Sequence, residues 1–81
     1  IVILPQSIVN NYYMPKRSII AENIKKYRAK LGISQDRLSK LADVTYNTII
    51  KIESGATYNP RVETLKNIAN ALKVGIDDLI K

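Results

Sequence analysis

Asn47 and Lys51 stand four residues apart in the stretch Thr45-Tyr-Asn-Thr-Ile-Ile-Lys-Ile-Glu-Ser-Gly55. On a helix, at about 100° per residue, they share a face with Ile50 and Ser54, opposite Ile49 and Ile52. Tyr46 borders that face at the helix start. An asparagine amide can pair bidentately with adenine, and a lysine ammonium can reach guanine O6 and N7. The tyrosine ring can pack on a thymine methyl, or its hydroxyl can meet a phosphate. The plainer alternative is a solvated helix surface. Ile50 suits such a surface poorly; it touches a methyl group, a second subunit or nothing.

Covalent and acid–base chemistry has little to work with. Histidine and cysteine are absent, which removes the commonest general base and the usual metal ligands together. There is no phosphate-cradling glycine loop. Asp77 and Asp78 are adjacent, but a helix start explains both electrostatically. The chain is therefore expected to be no enzyme and to hold no metal or cofactor. Its formal net charge is +6, from 13 Lys/Arg against 7 Asp/Glu. That excess favours a polyanionic partner. No apolar run approaches the roughly 20 residues needed to span a bilayer, so no membrane role is expected.

The elements that must position this face are short helices within one domain of an 81-residue chain. Ser18 can cap a first helix with the apolar stripe Ile20, Ile24, Tyr27 and Leu31, closed by Gly32. Ser34 caps a second, turning Leu38, Leu41 and Ala42 inward. Asp43 falls where a tight turn needs a left-handed residue, and Thr45 caps the third helix, closed by Ser54-Gly55. A fourth helix, about Val62 to Leu72, buries Val62, Leu65, Ile68, Ala69 and Leu72. Gly75 precedes a short last helix docked by Ile76, Leu79 and Ile80. The fold class is all-α, with five short helices.

Residues 1–17 follow another pattern. No charged side chain occurs before Lys16, and Ile1-Val-Ile-Leu4, Ile8-Val9 and Tyr12-Tyr13 are apolar or aromatic. The favoured reading is an extended, strand-forming arm that pairs with a second subunit. An arm packed on its own domain and a natural start at Met14 are the alternatives.

Around the third helix, Leu31-Gly-Ile-Ser-Gln35, Leu38, Val44-Thr45, Ile49, Ile52-Glu-Ser-Gly55, Pro60, Thr64-Leu65 and Ile68-Ala-Asn-Ala-Leu72 keep mutually consistent spacings. In these residues the chain resembles the phage repressor/Cro-type helix-turn-helix family, over roughly Ile19 to Lys81. The resemblance implies a five-helix bundle whose third helix enters the DNA major groove, with base contacts from Tyr46, Asn47 and Lys51. It gives Gln35 a DNA-backbone contact and a place buttressing the first recognition residue, and sets Arg61 at or near the minor groove. Thr45, Thr48 and Asn59 are further candidates for phosphate contact. Arg28 and Glu53 fall on the inward stripes of their helices, where isolated charges are costly; the resemblance implies that they pair. Three positions depart from the family pattern. Ser39 replaces a small Ala, Asp43 a turn Gly, and Arg61 a capping Ser.

The function implied is transcription regulation in the cytoplasm, by a homodimer on a pseudo-palindromic double-stranded operator. Ile76, Leu79 and Ile80 are the dimer candidates. An antitoxin-like or other protein-interaction module, gripping a protein partner with the apolar arm, is the alternative.

Overall fold

The computed structural model describes residues 18–57 and 59–81, which form five helices and no strand. They are α1 (Ile19–Leu31), α2 (Gln35–Ala42), α3 (Tyr46–Glu53), α4 (Val62–Leu72) and α5 (Ile76–Ile80). The expected arm lies outside the described residues. No described helix is long and apolar enough to cross a membrane.

Hydroxyl caps start the first three helices, each satisfying an otherwise unpaired amide of the first turn. Ser18 Oγ accepts from Ala21 N at 3.0 Å, Ser34 Oγ from Arg37 N at 3.0 Å, and Thr45 Oγ1 from Thr48 N at 3.1 Å. Arg61 precedes α4 without any side-chain cap bond, as the departure from Ser requires.

Three helices end in one device. Gly32, Asp43 and Lys73 take left-handed backbone conformations, with φ of 67°, 56° and 62°. The next amide then reaches back to a carbonyl of the last turn: Ile33 to Arg28, Val44 to Ser39 and Val74 to Ala69. Each of Ile33, Val44 and Val74 also packs against the core, which is the hydrophobic contact that completes this type of helix end. Asp43 therefore makes the turn that a glycine would make at lower conformational cost.

Ile24, Leu38, Ile49, Ile52, Ile68 and Leu79 are fully buried. One side chain or more from every helix thus meets at a single centre. α2 packs on α3 and α4, while α5 closes against α1 and α4. Asn23 Nδ2 fastens that last contact by donating to Leu79 O at 2.8 Å.

Four positions expected to face inward lie outside: Leu31, Leu41, Val62 and Ile80. Leu41 is 48% exposed and Val62 71%. On α2 the buried residues are Leu38, Ser39 and Ala42, so Leu41 sits about 100° from the centre of that arc. Small Ser39 takes the inward place, and its hydroxyl donates back to Asp36 O. Val62 opens α4 a turn before its first buried residue, Leu65. Leu31, at the end of the α1 stripe, is also exposed, whereas Ile20 and Tyr27 are half-buried.

Candidate nucleic-acid interface

α3 is amphipathic by construction. Ile49, Ile52 and Glu53 are buried on one side, and Tyr46, Asn47 and Lys51 are exposed on the other. Among the described residues, no hydrogen bond or ion pair engages the side chains of Tyr46, Asn47 or Lys51. Ile50 is half-buried, so it borders the exposed face rather than lying at its centre. The three polar side chains project together without a partner in their own chain. That is the arrangement from which base edges can be read.

A groove of about 230 Å³ runs beside this face, between α3, the loop after it and the start of α4. Lys51 and Arg61 supply cations there, and Thr48, Thr57 and Thr64 supply hydroxyls. No carboxylate lines it, so the groove is a donor-rich, positive channel suited to a phosphate backbone. Thr57 N donates to Lys51 O at 3.0 Å, which ties the loop to the end of α3 and holds one wall. Asn59 is exposed on the same loop. The Thr45 and Thr48 hydroxyls lie 2.8 Å apart, so one donates to the other while Thr45 also caps the helix. Thr48 is half-buried, Thr45 exposed.

Behind the face lies a polar joint. Glu53, 3% exposed, accepts from Arg28 Nε at 2.7 Å and from Arg28 Nη2 at 3.0 Å. Arg28 Nη1 also donates to Ile33 O at 3.0 Å. The pair is present as expected, and the third bond ties it to the segment entering α2. Gln35 also donates to Glu53, from Nε2 to Oε1 at 3.0 Å. That bond was not foreseen. Its only sequence signal is a donor in the first turn of α2, and nothing local says that it faces Glu53. With Gln35 in place, each buried side-chain polar atom of the described residues has a partner.

The dimer candidates divide. Leu79 has no exposed surface and belongs to the core, so it is unavailable to a partner. Ile80 is 53% exposed and Ile76 half-buried.

A helix-turn-helix family model matches residues 24–79, from the middle of α1 into α5. The chain belongs to the helix-turn-helix family. Its turn is Asp43-Val44-Thr45, between α2 and α3. Two similar proteins from Archaeoglobus fulgidus, each described as an uncharacterized HTH-type transcriptional regulator, are 38% and 36% identical to it over 56 residues. The matched segment is 69% of this chain and 79% and 78% of those relatives. No solved structure matches.

Proposed function

We propose that this helix-turn-helix protein is a transcription regulator that binds double-stranded DNA sequence-specifically. α3 enters the major groove with Tyr46, Asn47 and Lys51 toward the base edges. Gln35, Thr45, Thr48 and Asn59 contact the backbone, and Arg61 reaches the adjacent minor groove, where a narrow A·T-rich segment attracts arginine. Two copies bind a pseudo-palindromic operator, with half-sites one helical turn, about 34 Å, apart. Exposed Ile80 and half-buried Ile76 are the dimer contacts.

The observation that carries this reading is the unpartnered polar face of α3 beside a cationic groove. A solvated surface helix needs neither the groove nor a buried ion pair fixing its far end. The family and both relatives favour the same function. Selection of bound duplexes from a random pool tests it. A symmetric motif with two half-sites about ten base pairs apart is expected. Recovery of duplexes with no common motif would refute it.

A further inference from the structure

We infer that Gln35 is a positioning residue for recognition: its bond to Glu53 sets the angle at which α3 is presented to DNA. This rests on the DNA-reading function proposed for α3. The resemblance gives Gln35 a backbone contact and a place buttressing the first recognition residue; the link to Glu53 at the far end of α3 is separate from both.

The argument starts from how α2 and α3 are joined. At one end the three-residue turn Asp43-Val44-Thr45 links the end of α2 to the start of α3. A turn alone leaves the two helices free to change their angle about it, as the covers of a book open about the spine. Gln35 is the first residue of α2 and Glu53 the last of α3. Their 3.0 Å hydrogen bond therefore joins the two ends remote from the turn. The pair of helices is held at both extremities.

Arg28 strengthens the joint without duplicating it. It anchors Glu53 to α1 and to Ile33 O, in the segment just before α2. Among the described residues, only Gln35 hydrogen-bonds Glu53 to α2 itself. Glu53 is almost fully buried, and its Oε1 receives both the Arg28 Nη2 and Gln35 donors at 3.0 Å. Losing the amide leaves that oxygen with one partner fewer, in surroundings where a missing bond to a charged acceptor is costly. A small rotation of α3 moves Tyr46 and Asn47, at its opposite end, across the base edges. Phosphate contacts tolerate such movement better than paired base contacts do. The expected effect therefore falls on discrimination rather than on general affinity.

The test compares wild type with Gln35→Ala, Gln35→Met and Gln35→Glu. Binding to the selected duplex and to a random duplex is measured across a salt series, and α3 amide chemical shifts are recorded without DNA. For Gln35→Ala we expect the specific-to-random affinity ratio to fall about five- to tenfold, with an unchanged salt slope. Gln35→Glu, which sets a carboxylate against Glu53, should lower the ratio further. Gln35→Met keeps the bulk without the donor and should lower the ratio as far as Gln35→Ala. A phosphate contact alone would instead weaken both duplexes equally; a neutral amide releases no counterion, so the affinity ratio and not the salt slope separates the two roles. Equal weakening of both duplexes, or a ratio retained in Gln35→Met, overturns the proposal. Amide shifts decide independently of DNA. In Gln35→Ala and Gln35→Met they should extend along α3 to Tyr46; shifts confined to the surroundings of Glu53 overturn it as well. A wild type with no preference for any duplex would refute the DNA-reading function, while the amide shifts would still judge the link.

Discussion

Arg28 and Glu53 form a two-bond pair, Nε to Oε2 at 2.7 Å and Nη2 to Oε1 at 3.0 Å, between the last turn of α1 and the end of α3. The carboxylate is buried and the guanidinium 23% exposed, so the two ends are unequally solvated. Removing the arginine strands a buried charge with Gln35 as its one remaining side-chain donor. Arg28→Ala should therefore cost about 3 kcal/mol of stability and lower the thermal midpoint. An unchanged midpoint would show that the pair contributes little to the fold.

Asp43 carries a left-handed backbone at φ 56° without being glycine. Asp43→Gly should stabilise the protein by about 0.5–1 kcal/mol, the relief of left-handed strain exceeding glycine's extra freedom in the unfolded chain. Asp43→Val should destabilise it, because a β-branched side chain fits that conformation worst. Urea unfolding of both variants checks the sign.

Lys51 is exposed on the reading face and lines the groove with Arg61. Lys51→Ala should relax base preference at one operator position, at a cost of about 1–3 kcal/mol. Arg61→Ala should weaken the preference for A·T pairs beside the half-site. Repeating the duplex selection with each variant separates the two effects. Specificity that survived loss of both Asn47 and Lys51 would remove α3 from the recognition role.

Leu79 and Ile80 are chain neighbours with opposite surroundings, one wholly buried and the other about half exposed. Leu79→Ala should cost about 2–5 kcal/mol through a core cavity. Ile80→Asp should leave the midpoint nearly unchanged yet shift sedimentation toward the monomer. A dimer that persisted in Ile80→Asp would place the subunit contact elsewhere.

Local chemistry made much of this legible in the sequence. Ser18, Ser34 and Thr45 are caps because a hydroxyl and the amide three residues on suffice to define one, and all three bonds are present. The left-handed turn at Asp43 was readable for the same reason. The exposed face of α3 followed from periodicity, since Ile49 and Ile52 fix which side is buried. Leu41 and Val62 were misplaced because apolar spacing gives the period of a helix, not the centre of its buried arc. The Gln35–Glu53 bond joins residues 18 apart in sequence through the mutual angle of two helices. No local pattern encodes that angle.

The Asn23–Leu79 bond has a consequence for how the molecule opens. It joins residues 56 apart in the chain, whereas α1, α2 and α3 follow one another across connections of three residues. Forming the α1–α5 contact means closing a 56-residue stretch on itself, and a five-residue helix has little stability alone. The carboxy-terminal turn should therefore dock last and detach first, its amides exchanging with solvent well before those of Ile49 or Ile52. Leu79 is then a latch: while it stays seated, the bundle is closed.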